Sequence, residues 1–221
     1  MGLLDDLKRQ ADLQRTQTSL QRSLREENVR AVDEAMHRAF LYLHELFKQL
    51  AVLVPVNPVV YAMRGIGEFR DLRYGDSFID ARKKKIGERD VYDYTDFWIK
   101  WTTPNALAFT REMPHEIAKA REVLRHANLK FTEEEKKTPG GPVLNVKFFV
   151  PGAVTVDFTV RADHDQRRVL FYGKNALQLG IDDFVVPADE LTEAMVEEFA
   201  KLLLGQPNDF ARRYRTVLPR K

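Results

Sequence analysis

A chain of 221 residues with 44% apolar content can enclose a proper core without disulfides or metal staples, burying about 70% of the surface its unfolded form exposes. Cysteine is absent, which excludes thiol nucleophiles and thiolate metal sites. With 35 Lys and Arg against 33 Asp and Glu the formal charge is +2, so no global field gathers polyanions and any nucleic-acid site must be local.

The chain opens Met1-Gly2-Leu3-Leu4-Asp5-Asp6, with acids where a secretory signal carries bases, and no apolar run follows. Asp6 occupies the place where a myristoylation signal needs Ser or Thr, so lipidation at Gly2 is not expected. The longest apolar run, Leu50 to Val56, is broken by Pro55 and falls far short of the roughly 20 residues of a membrane span. No membrane span and a cytoplasmic location are the resulting expectations.

Residues 1–28 are polar and rich in Gln and Arg, with sparse leucines at Leu3, Leu7, Leu13, Leu20 and Leu24. They read as a helical arm that is frayed or self-associating. Ser23 followed by Glu26 matches a capping box, at which a second helix would begin. From there the clearest pattern of the chain takes over: Val29, Val32, Met36, Phe40, Leu43, Phe47, Leu50 and Val54 recur at three- and four-residue steps. That spacing predicts an amphipathic helix whose stripe is buried against the chain's own sheet or against another copy. Pro55 and Pro58 end it.

Between Gly65 and Thr110, short aromatic and β-branched segments punctuated at Gly75-Asp76, Ile86-Gly87 and Thr103-Pro104-Asn105 predict an antiparallel meander. Pro114 to Ala127 reads as a helix on Ile117, Ala120, Leu124 and Ala127, with Asn128 as its left-handed stop. A second meander follows from Leu129 to Val186. Within it Val154, Val156, Phe158 and Val160 alternate with Thr155, Asp157, Thr159 and Arg161, the pattern of a half-buried strand; Asp163 to Gln166 is its turn and Arg167 to Tyr172 its return. The last helix runs from about Glu190 to Leu204, capped by Asp189 or Thr192 and closed by Gly205 and Pro207.

The fold class is therefore α+β: a long N-terminal amphipathic helix, then antiparallel sheet with two further helices, in the order helix, meander, helix, meander, helix. The expected division is the arm 1–28, a single α+β domain 29–210 and a basic tail 211–221. Thr138 to Pro142 could serve as a linker, but the preceding helix needs sheet on both sides.

Few patterns carry chemistry. Glu34-Ala35-Met36-His37 has the Glu-x-x-His spacing of di-iron bundles but lacks the partner motifs, since Glu112 to His115 spans Pro114. His37 and His44, beside the stripe, read as flanking histidines, and no metal or cofactor is called for. Only Ser19, Ser23 and Ser77 offer a serine hydroxyl, and Gly75-Asp76-Ser77-Phe78-Ile79 is no nucleophile elbow, so Ser77 reads as a turn residue. Gly65-Ile66-Gly67 and Gly140-Gly141 lack the rest of a phosphate loop. Asp182-Asp183 and Asp163 with Asp165 read as solvated loop acids. No catalytic residue is assigned, and no motif is specific enough to name a family.

Two patterns remain. In the strand Asp90 to Trp101, alternation puts Tyr92, Tyr94, Trp98 and Lys100 on one face and Phe97, Ile99 and Trp101 on the other, so two-sided packing is expected, one face covered by core helices and the other by the leading helix, a small apolar ligand or a partner. Arg82, Lys83, Lys84 and Lys85 near a hairpin tip, and Arg212, Arg213 and Arg215 with Arg220 and Lys221, form basic patches that invite a nucleic-acid reading, or docking on Glu133-Glu134-Glu135. The acids that follow closely, Asp90, Asp93 and Asp96, argue against nucleic acid. The leading expectation is a non-catalytic interaction or scaffold protein that self-associates through its helix and offers the aromatic face to a partner. The alternative is a small-molecule-binding protein or enzyme with a pocket at that face; the third is a local nucleic-acid binder.

Overall fold

In the computed structural model, which describes residues 2–137 and 143–219, one helix, α1 (Leu3–Leu53), runs unbroken through the arm and the stripe. No second helix starts at Ser23. The capping box needs a non-helical first residue, whereas Ser23 lies mid-helix and the Glu26 carboxylate is taken by Arg22 at 3.1 Å. The helix ends where Val54 turns left-handed (φ 45°) and its N–H reaches Leu50 O at 2.9 Å, ahead of Pro55.

Twelve strands follow among the described residues. β1 (Val56–Asn57), β4 (Leu72–Ile86), β5 (Arg89–Thr102), β9 (Ala153–Asp163), β10 (Arg168–Lys174), β11 (Ile181–Pro187) and β12 (Arg215–Thr216) make an antiparallel seven-stranded sheet in the order β1-β4-β5-β9-β10-β11-β12. β2 (Tyr61–Met63) pairs with β3 (Gly67–Phe69). β6 (Leu107–Arg111), β7 (Thr132–Lys137) and β8 (Val143–Val150) form a three-stranded sheet with β8 central. Thr138 to Pro142 lies outside the described residues.

The later helices are α2 (Pro114–His126), α3 (Glu193–Leu203) and α4 (Phe210–Tyr214), with a 3-10 turn, η1, at Ala188–Glu190. Asn128 takes the left-handed stop after α2 (φ 54°), and the Thr192 side chain caps α3 through Met195 N. The short α4 has no forerunner in the hydrophobic pattern: Phe210 and Tyr214, four apart, bury one side of a single turn.

The core is one contiguous cluster. Phe97, Ile99, Trp101, Val156, Phe158, Phe171 and Phe184 present the inner face of the large sheet, and α1, α3 and α4 lie on it. Phe47 meets Phe97 at 5.6 Å, and Phe199 of α3 stands edge-on to Phe158 at 5.2 Å and to Phe171 at 4.9 Å. Gly173 makes room for this packing, because a Cβ there would fall 2.2 Å from the Phe158 ring and 2.4 Å from Asp182 O. The buried face of α2 (Ile117, Ala120, Leu124) joins the same core next to β6.

Two bulges in the β4–β5 ribbon correct the strand reading. Gly75-Asp76 is not a turn: the register slips between Tyr74 and Asp76 inside β4, and Ser77 is a strand residue whose Oγ bonds Tyr74 Oη at 2.8 Å. The second slip is at Asp93, between the Arg82–Tyr94 and Lys83–Tyr92 pairs. An extra residue reverses the side-chain parity beyond it, so Tyr92 turns to the inner side and packs on α1. Its ring lies 6.0 Å from Phe40, its hydroxyl meets His37 Nδ1 at 3.1 Å, and its N–H donates to Asp33 Oδ1 at 2.8 Å.

Candidate functional site

Seven of the eight stripe residues, those from Val29 to Leu50, are not a free surface for association. Val29, Val32, Met36, Leu43, Phe47 and Leu50 are buried and Phe40 is packed against the core, all beneath the chain's own sheet. What α1 leaves uncovered is its first half: residues 7–27 are exposed throughout, a rod about 30 Å long carrying Leu7, Leu13, Leu20 and Leu24 in solvent. Its helical form is supported by exposed pairs, Arg15 with Asp12 and Arg22 with Glu26, each adding only a few tenths of a kcal/mol. Thr16 and Thr18 turn their hydroxyls back onto Asp12 O and Gln14 O.

Where the rod enters the body it is clamped. Arg167 donates to both oxygens of Asp189 (2.8 and 2.9 Å), to Glu27 (3.2 Å) and to Asn28 (3.3 Å), tying the β9–β10 turn and η1 to the foot of the arm. Its guanidinium pKa is raised by the bonds to Asp189 and then Glu27. Arg25 adds a looser pair with Asp165 at 3.7 Å.

Among the described residues no further element covers the outer face of the large sheet, contrary to the expectation of two-sided packing. Cross-strand register lines up Phe78 with Trp98 and Asp157, Asp80 with Asp96 and Thr159, and Arg82 with Tyr94 and Arg161. Phe78 and Trp98 stack at 6.3 Å, with Phe78 49% exposed. Of the four residues assigned to an aromatic face, Tyr94, Trp98 and Lys100 share this side and Tyr92 does not. Phe78, Tyr172 and Arg161 belong to it as well. Carrying the Val154–Arg161 alternation across to the neighbouring strand would have found Arg161.

Between this face, the β4–β5 tip and the foot of the arm lies an open hollow of about 870 Å³. Tyr94, Tyr172, Arg161, Lys85 and His164 are among its walls. His164 is buried, its Nε2 3.0 Å from Tyr92 O and its Nδ1 without a partner in the structure. The three acids of the wall are engaged: Asp93 with Lys84 at 2.7 Å, Asp163 with Arg168 at 2.8 Å, Asp165 with Arg25. Arg161 lies over the Tyr94 ring at 5.8 Å, and neither it nor Lys85 has an acidic partner among the described residues.

The basic patches are largely spent within the chain. Arg82 pairs with Asp80, Lys83 sits over the Tyr92 ring, Arg212 and Arg213 pair with Asp209, and Arg215 pairs with buried Asp182. Among the described residues the tail does not dock on Glu133 to Glu135; Glu133 is forked by Arg121 instead. Arg220 and Lys221 lie outside the described residues.

Asp182 and Asp183 are not solvated loop acids. Both are buried in β11, where Asp182 accepts from Ala176 N and Leu177 N (2.9 and 3.1 Å) and Asp183 from Gly173 N and Leu218 N, each at 3.2 Å. Burial raises the Asp182 carboxyl above the ordinary range against the pull of those N–H groups and of Arg215. Among the described residues no cluster of His, Asp and Glu could hold a metal ion, and no helix is long and apolar enough to cross a membrane. Glu34 is paired with Arg30 at 3.8 Å while His37 is engaged by Tyr92.

No family model, curated protein or solved structure matches this chain. Function is therefore argued from its surfaces alone.

Proposed function

We propose that this is a non-catalytic interaction protein that self-associates through its helical arm and offers the open aromatic sheet face to a protein partner. One observation carries the reading: a single helix is welded to the core over its second half and leaves its first half bare, with leucines in water. Thr16, Thr18, Ser19 and Ser23 are weak helix formers, and most helical stability in proteins comes from packing an apolar face, so a packed neighbour is what would hold the bare half. The sheet face mixes Asp80, Asp96 and Asp157 with Lys100 and Arg161, a balance suited to a protein surface rather than to a polyanion. Light scattering on the full chain tests it: a mass above 25.7 kDa is expected, and Leu20→Glu with Leu24→Glu should return the monomer. A parent that is monomeric at every concentration refutes self-association.

The hollow favours a second reading, a small-molecule site. With its acids engaged, Arg161 and Lys85 are left to meet an anion beside Tyr94 and Tyr172, so the ligand would be a planar organic anion rather than an apolar one. The fluorescence of anilinonaphthalene sulfonate should rise on binding and fall back in Arg161→Gln; an unchanged response in that variant refutes the site.

A further inference from the structure

The arm has a defined seam. Leu13, Gln17, Leu20 and Leu24 follow one another at four-, three- and four-residue steps and so share one side of α1, where the three leucines are 64%, 61% and 52% exposed. In heptad terms Leu13 and Leu20 are d positions, Gln10, Gln17 and Leu24 are a positions, and the flanking e and g positions of the central stretch are Gln14, Thr16, Gln21 and Ser23. Nothing in that stretch sets like charges against each other across two copies, so the seam is self-complementary.

The body decides the direction of pairing. Five turns of a straight helix, about 18 residues, return to the same side, so Ala31, Ala35, Arg38 and Tyr42 stand below Leu13, Gln17, Leu20 and Leu24 on α1. There it is already occupied: Ala35 is buried, Arg38 donates to Leu191 O at 3.1 Å, and Tyr42 packs on the core with its phenol pKa raised by burial and by Glu197 and Glu193 of α3. A second helix laid parallel and in register would have to run its own residues 31–53 along this filled side. Laid antiparallel, it carries its body away past the tip of the rod, and the two bodies stand at opposite ends.

Resting on the self-association proposed above, we infer that the arm's occupant is a second copy of this chain running antiparallel. Leu13 of each copy then lies against Leu24 of the other, and Leu20 beside Gln17 of the other. This register gathers all six leucines at the middle of the rod, and it puts the polar Gln17 where an a-position glutamine fixes alignment at some cost in strength. The result is a concentration-dependent dimer, not an obligate one.

The absence of cysteine makes the test direct, since any disulfide must come from an introduced residue. Full-length Leu13→Cys and Leu24→Cys variants, mixed under mild oxidation, should form the mixed disulfide in several-fold excess over either homodimer. A spin label on Lys8→Cys, an exposed position off the seam, should sit about 32 Å along the axis from its mate. Parallel helices would instead place the two labels side by side, at about 10–20 Å given the usual interaxial spacing. Homodimeric disulfides at Leu13→Cys and Leu24→Cys with a short label distance would overturn the antiparallel arrangement and leave self-association standing. A monomer without cross-links would overturn both, and a dimer that survives Leu20→Glu would overturn association through the arm.

Discussion

Replacing Gly173 with alanine asks whether the core beneath the helices is as tightly specified as its geometry implies. The added Cβ would stand 2.2 Å and 2.5 Å from two atoms of the Phe158 ring and 2.4 Å from Asp182 O, all far inside contact distance. Neither neighbour can give way. The Phe158 ring is held by Phe97 at 5.3 Å, Phe199 at 5.2 Å and Phe184 at 6.3 Å, and Asp182 is the direct ladder partner of Gly173. Relief of more than 1 Å must come from parting β10 and β11 or from repacking four rings, which puts the cost at the upper end of overpacking, about 3 kcal/mol. For a chain of this size that is a fall in melting temperature of about 6–12 °C. Urea titration followed by circular dichroism measures it. Gly87→Ala is the control: Gly87 has positive φ (63°) but nothing within 4 Å of the new Cβ, so only the backbone cost of about 1 kcal/mol applies. A Gly173→Ala loss no larger than that of Gly87→Ala would refute the reasoning.

Three further outcomes are expected. Asp33→Ala leaves the Tyr92 N–H at the bulge without its carboxylate, and urea midpoints should record a loss of about 1.5–3 kcal/mol; a change under about 0.5 kcal/mol would show that water substitutes freely. Asn175→Asp turns a donor to Ala127 O and Thr155 O (3.2 and 3.0 Å) into an acceptor facing two carbonyls, so the variant should be destabilised by about 3 kcal/mol and become less so as acid protonates it; a loss independent of pH would contradict this. Asp182 has its carboxyl pKa raised in the fold by burial, so its contribution is most favourable at low pH and declines as pH rises from about 4 through the folded value. Asp182→Asn should therefore gain on the parent between those limits and neutrality, whereas parallel stability profiles would show that Arg215 already compensates the charge.

Much of the fold was legible because it rests on period. The stripe from Val29 to Leu50, the alternation from Val154 to Val160 and the Thr192 cap each leave a local mark, and the structure shows an element at each. What escaped was set by single inserted residues and by partners remote in sequence. Neither bulge changes the composition around it, yet the one at Asp93 moved Tyr92 from the open face to the core. Asp182 and Asp183 look like any loop acids until Ala176, Gly173 and Leu218 bring their N–H groups across. The candidate surfaces were half legible: Tyr94, Trp98 and Lys100 lie together as alternation implies, but the hollow depends on the arm's foot and on the β9–β10 turn, 140 residues from Glu27 to Arg167. Of the two neighbours the stripe allowed, the structure shows the chain's own sheet, a choice the sequence left open because an apolar face carries no record of what covers it.

Between Leu3 and Leu53 the sequence contains neither glycine nor proline, so α1 has no hinge at which the bare half could fold over. The rod acts as a ruler. Every residue added to or removed from it displaces whatever it holds by about 1.5 Å and swings it by about 100° around the axis, so seven-residue deletions would shorten the reach while preserving its bearing.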